Sequence, residues 1–127
     1  CTIGFGSKAK NIVNEDMVLA KVLRSQGAIP LVKGNLSLGC LSYHSSNIIW
    51  GEAKNPWNHD RSCGGSSGGD AGILAAGLAP FSIGGDLVGS LRVPGAFCGV
   101  IGYLPTPARN SVIGCLFPTE TDTLNSE

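Results

Sequence analysis

The stretch CGGSSGGDAGILAAGLAPFSIGGDLVGSLRVP, residues 63–94, decides how this chain is interpreted. Serines lie in two glycine-rich segments, GGSSGG at 64–69 and GGDLVGS at 84–90, with an apolar run of mostly small residues between them. Glycine massed around serines is typical of backbone that comes close to a bound molecule, whereas scattered glycine marks turns. The stretch therefore predicts a candidate active site.

Length, charge and cysteine content limit the classes of protein to consider. The 127 residues suit one domain or a piece of one, and the 9 basic and 9 acidic side chains cancel, which gives no indication of nucleic-acid binding. No apolar run approaches the roughly 18 residues of a membrane span, and no signal peptide opens the chain. Five cysteines without CxxC spacing predict mostly buried free thiols in a reducing compartment, with no disulfide framework and no zinc or other metal site.

Upstream of the stretch, the pattern predicts a helix, a strand and a loop. Asn14 is predicted as the N-cap of a helix that ends at Gln26–Gly27. The short apolar run at 28–33 predicts a buried strand, and the polar segment 34–62, which holds both tryptophans, predicts an ordered loop. A helix followed by a buried strand indicates an α/β fold.

Within and after the stretch, Ser66 and Ser67 are predicted to cap a helix over 70–78. A further segment, to which the sequence assigns no helix or strand, is predicted at 91–98. Short strands are predicted at 81–83 and 101–104, and the polar end TETDTLNSE, 119–127, is predicted to fray.

Three chemical interpretations of the glycine–serine stretch stay open at this point. A phosphate cradle would suit GGSSGG before a helix, but GxxxxGK[ST] and GxGxxG are absent. Glycine turns with capping serines are a purely structural alternative. In the third, Ser90 is a nucleophile, and a glycine-rich backbone supplies N–H donors for a developing oxyanion. His44 and His59 are candidate bases, although nothing in the sequence places either near Ser90.

The combination of motifs resembles the amidase signature family. It consists of GGSSGG, the small-residue helix and GDLVGSLRVP, with NPWN at 55–58 before them and FCGVIGYLPT at 97–106 after them. The resemblance covers about Asn14 to Ser111. The segments QGAIPLVKGN, 26–35, and CLSYHSSN, 40–47, look most like the fatty-acid amide hydrolases.

The resemblance implies a part of the amidase signature fold, an α/β fold whose mixed central sheet is flanked by helices. It also implies a Ser–cis-Ser–Lys triad, in which Ser90 is the acyl-enzyme nucleophile and Ser66, reached through a cis peptide, is the bridging serine. Cys40 matches a substrate-contacting position. The backbone of Leu87, Val88, Gly89 and Ser90 matches the oxyanion hole. Ser67, Asp86 and Arg92 match supporting polar positions.

Several positions depart from the family pattern. The catalytic lysine of the family lies upstream of the region that matches residue 1, so 1–127 is expected to be a partial domain that lacks the lysine segment and the C-terminal half. Val88 stands where the family has glycine, and a β-branched residue there is expected to strain or shift the loop if a positive φ is needed. Cys63 replaces a proline and Leu104 a lysine.

The resemblance implies that the full-length enzyme hydrolyses fatty-acid amides or related carboxylic amides without cofactor or metal. Its implied partner is a small-molecule or lipid amide, and its implied location is intracellular, cytoplasmic or membrane-associated. The isolated chain is expected to be inactive, because it lacks the lysine. Two alternatives remain: a degenerate, non-catalytic homologue that acts as a binding protein, and a glutamine amidase subunit of an amidotransferase.

Overall fold

The chain divides into two compact units. The structure is a computed structural model that describes residues 2–10 and 12–115. Among the described residues, the first unit contains 12–32 and 105–115, and the second contains 2–10 and 33–104. The end 119–127, which is predicted to fray, lies outside the described residues.

The first unit is organised by helix α1, Val18–Ser25. The prediction of Asn14 as its N-cap is wrong, because the helix begins after Met17. The acidic residues before the helix still act on it, since Glu15 pairs with Lys21 at 2.7 Å and Asp16 with Arg24 at 3.7 Å. The C-terminal end agrees with the sequence prediction, because Gly27 follows the helix with φ of 93°.

The second unit contains two short antiparallel hairpins where an ordered loop is predicted. Strand β1, Ser46–Asn47, pairs with β2, Gly51–Glu52, and strand β3, Lys54–Asn55, pairs with β4, Asn58–Ser62. Asparagine side chains close both turns. Asn47 Oδ1 accepts the N–H groups of Ile49 and Trp50, and Asn55 Oδ1 accepts that of Trp57 at 3.0 Å.

Two helices pack beside the second hairpin. Helix α2 is Gly68–Ala75 and helix α3 is Arg92–Cys98, and short 3₁₀ turns lie at Gly6–Lys8 and Leu38–Cys40. Small side chains form the core between them, so the backbones approach closely: Cys63, Ala71 and Cys98 are buried together. Burial is the main cause that raises the pKa of the Cys63 thiol to about 12, which keeps it protonated. The prediction of buried free thiols is therefore confirmed for Cys63 and Cys98.

The predicted strands at 28–33, 81–83 and 101–104 are wrong for the described residues. A strand needs a neighbour that pairs its N–H and C=O groups, and none of the described residues pairs with these segments. Their apolar side chains consequently stay exposed, as Ile101 shows at 92%. The described part likewise forms two separate two-stranded sheets and not the mixed central sheet. No helix in this part is long and apolar enough to cross a membrane.

Candidate active site

Ser66 is fixed through its own backbone. The Gly65–Ser66 peptide bond is cis, as the resemblance implies. The Ser66 carbonyl accepts hydrogen bonds from Ser45 Oγ at 3.0 Å and from the Ser37 N–H at 3.3 Å. Ser66 is 4% exposed, and Ser37 and Ser45 are fully buried. The position of Ser66 is thus set by a buried polar layer that comes from residues 37–45.

Gly65 allows the loop of residues 42–44 to lie directly against this backbone. A Cβ atom at position 65 would stand 2.5 Å from the Ser42 carbonyl oxygen and 2.9 Å from the His44 nitrogen. We expect Gly65→Ala to lower the free energy of unfolding by about 2–3 kcal/mol, because backbone atoms cannot move aside cheaply. Chemical denaturation measures this loss. Gly85→Ala is the matched control, since a Cβ at Gly85 meets nothing within 4 Å, and an equal loss in both variants would contradict the steric explanation.

Ser90 lies next to the second serine of the GGSSGG segment. The Ser67 N–H donates to the Ser90 carbonyl at 3.2 Å, and Ser90 is 6% exposed. Ser67 occupies the N-cap position of α2 but makes no side-chain cap bond, so the predicted capping by the Ser66 and Ser67 hydroxyls is wrong. The Gly68 N–H in the first turn instead donates to Ser45 Oγ at 2.8 Å. The backbone hydrogen bond between Ser67 and Ser90 therefore brings Ser66 and Ser90, the two serines of the triad that the resemblance implies, close together.

Asp86 ties together the segment that carries Ser90. Its fully buried carboxylate accepts the N–H groups of Gly89, Leu91 and Arg92 at 2.7, 3.1 and 3.1 Å. The Arg92 guanidinium also donates to it twice, at 3.0 and 2.9 Å. The Arg92 side chain is the largest cause that holds the pKa of Asp86 well below its usual range. Asp86 and Arg92 thus tie together the backbone on either side of Ser90.

The loop before Ser90 has no strain at Val88. Among the described residues other than glycine, positive φ occurs at Ile3, Cys40 and Ala108, so the expected strain at Val88 is wrong. Gly89 takes the unusual conformation instead, with φ of 127°. The Tyr43 hydroxyl donates to the Val88 carbonyl at 2.6 Å, which ties this loop to the segment that carries Tyr43.

A cavity of about 240 Å³ opens beside Ser90. Its lining residues are Cys40, Leu41, Ser42, Tyr43, Val88 and Ser90. Cys40 is half-buried, and burial raises the pKa of its thiol while a hydrogen bond with the Ser66 side chain opposes this rise. Cys40 and Ser90 therefore line the same cavity, and the Ser66 side chain lies within hydrogen-bonding reach of the Cys40 thiol.

None of the basic side chains described here joins this group. His44 hydrogen-bonds Ser62, whereas Lys21 and Lys54 pair with glutamates. In residues 2–10 and 12–115, no hydrogen bond or ion pair connects a lysine or histidine side chain with Ser66 or Ser90.

Sequence reasoning misses the polar residues that hold the site in place. Asn35 accepts the Gly69 N–H through its carbonyl at 2.8 Å and the Asn47 amide through its side chain at 2.7 Å. Ser45 connects the Ser66 carbonyl with the start of α2. The signal available in the sequence is the density of Asn and Ser at 35–47, which by itself predicts only a loop.

Comparison with known proteins is consistent with this geometry. The family model "Amidase" matches residues 1–125. The chain is 45% identical over 107 residues to vitamin D3 hydroxylase-associated protein of Gallus gallus, which covers 84% of the chain and 23% of that protein. It is 42% identical over 113 residues to fatty-acid amide hydrolase 1 of Sus scrofa, which covers 89% of the chain and 20% of that protein.

A solved structure agrees with the sequence matches. The crystal structure of a glutamyl-tRNA(Gln) amidotransferase subunit from Thermotoga maritima superposes with a TM-score of 0.83 at 32% identity, over 89% of this chain and 25% of that one. The chain therefore spans about a quarter or less of the length of each of these relatives. Since the family model extends over nearly every residue, and the fold of a solved member agrees, this chain belongs to the amidase family.

Proposed function

We propose that the complete protein containing this chain is a serine amidohydrolase that converts fatty-acid amides or related carboxylic amides to acid and amine. The observation that carries the proposal is that Cys40 and Ser90 line one cavity of about 240 Å³, while Ser66 directly precedes the residue whose N–H donates to the Ser90 carbonyl. The similarity to fatty-acid amide hydrolase 1 supports the choice of amide. In this proposal residues 1–127 are one part of the catalytic domain, and their segments join a mixed sheet in the complete protein.

In the proposed reaction, Ser90 Oγ attacks the amide carbonyl carbon while its proton passes to Ser66. The proton on the Ser66 hydroxyl passes in turn to a lysine supplied from outside this chain. The carbon–nitrogen bond then breaks, and the amine leaves with the proton that returns along the same path. Water hydrolyses the acyl-Ser90 ester and releases the carboxylic acid.

The developing oxyanion requires N–H donors that are not already occupied. The Gly89 N–H donates to Asp86 at 2.7 Å. The N–H groups of Leu87, Val88 and Ser90 donate to no acceptor within the described part of the chain. We therefore assign the oxyanion hole to Leu87, Val88 and Ser90, with Gly89 as the residue whose φ turns the loop.

A fluorophosphonate probe tests the nucleophile directly. We expect peptide mass spectrometry of the complete protein to find the label on the peptide that carries Ser90, and Ser90→Ala to abolish the label on that peptide. Ser7→Ala is the matched control, since Ser7 is exposed and lies outside the cavity lining. A folded protein that resists the probe would favour the non-catalytic homologue instead.

A second candidate activity is favoured by the structural match to the amidotransferase. A glutamine amidase of that type would release ammonia from glutamine by the same Ser90 chemistry. Parallel assays with glutamine and with a long-chain fatty-acid amide separate the two. Hydrolysis of the lipid amide alone supports the first proposal, and hydrolysis of glutamine alone supports the second.

A further inference from the structure

A second serine–histidine–carboxylate cluster lies on the two hairpins. His44 Nδ1 is 3.0 Å from Ser62 Oγ, and His44 Nε2 is 3.5 Å from Glu52 Oε1. On its other oxygen, Glu52 accepts Lys54 Nζ at 2.6 Å. None of these residues lines the cavity beside Ser90. Ser62, His44 and Glu52 thus supply a nucleophile, a base and an orienting carboxylate at a site that takes no part in the reaction proposed for Ser90.

The contacts of Ser62 suit proton transfer to His44. The Gly64 N–H donates to Ser62 Oγ at 3.0 Å and leaves the hydroxyl hydrogen available to an acceptor. The reaction uses the imidazole tautomer in which Nδ1, 3.0 Å from Ser62 Oγ, is that acceptor and Nε2, facing Glu52, carries the hydrogen. The Lys54 hydrogen bond lowers the pKa of Glu52, so the group facing Nε2 is a carboxylate.

Ser62 also faces space that a small molecule can enter. It lines a cavity of about 530 Å³ together with Asn55, Arg61, Ala96 and Phe97. Phe97 gives this cavity an aromatic wall, and Arg61 brings a positive charge to it. The His44 side chain is 51% exposed, so water reaches the base as well. The cavity therefore suits a ligand that carries an aromatic ring close to a carbonyl group.

We propose that Ser62 is a second nucleophile, which is acylated by small aryl esters with His44 as its base and Glu52 as the residue that positions the imidazole. Ser62 Oγ forms a bond to the ester carbonyl carbon while its proton moves to His44 Nδ1. The bond between that carbon and the aryl oxygen breaks, and the phenol leaves with the proton. Water, deprotonated by His44, then releases the carboxylic acid from Ser62.

The test uses the complete protein with Ser90→Ala, so that it does not depend on the first site. With p-nitrophenyl acetate we expect a burst of one p-nitrophenol per chain and an acetyl group on Ser62, found by peptide mass spectrometry. Ser62→Ala in the same background removes both signals. If Ser62 carries no acetyl group, or if the burst persists without Ser62, the proposal is overturned.

The role of His44 is separable from its contribution to folding. His44→Ala is expected to slow acetylation at least about a hundredfold, the usual range for a lost general base, and free imidazole is expected to restore part of the rate. His59→Ala is the matched control, because no hydrogen bond or ion pair joins the His59 side chain to Ser62 in the described residues, and it is expected to leave the rate unchanged. An unchanged rate in His44→Ala contradicts the proposal, as does failure of imidazole to rescue it.

Glu52 is tested as a positioning residue by a pair of variants. Glu52→Ala is expected to slow acetylation about tenfold, and Glu52→Asp to recover part of that loss because it keeps the carboxylate. If Glu52 only stabilised the hairpin, both variants would slow acetylation to the same degree. Equal rates in the two variants would therefore remove Glu52 from the assignment.

Discussion

Replacing Ser90 with alanine is expected to lower the rate of amide hydrolysis by the complete protein at least about a thousandfold. The change removes the only atom that the proposed reaction joins to the acyl group, while the cavity and the backbone N–H groups around it remain. Steady-state kinetics with a long-chain fatty-acid amide measures the loss as kcat. Retention of kcat within a few-fold would eliminate Ser90 as the nucleophile.

Ser66 provides an internal check on that result. Ser66→Ala is expected to lower kcat to a similar degree, because the proposed proton path from Ser90 runs through its hydroxyl. The double variant Ser66→Ala/Ser90→Ala is expected to be no slower than Ser90→Ala, since groups that act as one unit lose their effect together. Multiplicative losses in the double variant would mean that the two serines act independently.

Replacing Asp86 with alanine is expected to lower the free energy of unfolding by about 3 kcal/mol at pH 7. The change leaves three backbone N–H groups and the Arg92 guanidinium without the acceptor that they share. Arg92 is 54% exposed, so water partly replaces its bonds, and most of the loss comes from the backbone groups. Denaturation by urea measures the effect. Asp60→Ala, an exposed carboxylate on β4, is the matched control and should change stability by less than about 0.5 kcal/mol.

The same carboxylate gives the effect a defined pH dependence. The pKa of Asp86 in the folded protein is lowered, chiefly by Arg92, relative to its usual value. The stabilisation is therefore complete above the pKa of the unfolded chain, about 3.9, and is lost as pH falls through the lower folded pKa. We expect the difference between wild type and Asp86→Ala to be constant from pH 8 to pH 5 and to shrink in more acidic solution. A difference that grows with acidity would show that Asp86 acts by another route.

Helices α1 and α2 can be predicted from the residues, whereas α3 is predicted only as a segment of unspecified type and the strands are not predicted correctly. Helix α1 follows from the spacing of Val18, Leu19, Val22 and Leu23, and its end follows from Gly27. The apolar segments at 28–33, 81–83 and 101–104 satisfy a strand pattern equally well, but a strand exists only where another one pairs with it. Local sequence does not contain that information. The hairpins at 46–62 arise from asparagine side chains that bind neighbouring N–H groups, which apolar periodicity does not detect.

The parts of the candidate site that are built by residues close in sequence can be predicted from the sequence, and the parts that depend on long-range contacts cannot. The glycine–serine pattern alone indicates Ser90 and its loop, and the resemblance adds Ser66, the cis peptide and Asp86. Contacts across long sequence separations leave no comparable signal. Tyr43 reaches Val88 across 45 positions, and Ser45 reaches Ser66 across 21. Such contacts depend on the tertiary fold of the chain, which a short segment of sequence does not determine.

Helix α3, which begins two residues after Ser90, is anchored at both ends by side chains from elsewhere. Asp86 binds its first N–H, while the Asn55 amide donates to the Phe97 carbonyl at 3.0 Å and Trp57 Nε1 donates to that of Cys98 at 2.7 Å. The helix and the second hairpin should therefore open together in local unfolding. Amide hydrogen exchange in the turn at 55–58 would then report on the order of the backbone at Ser90, although the two lie more than thirty positions apart in sequence.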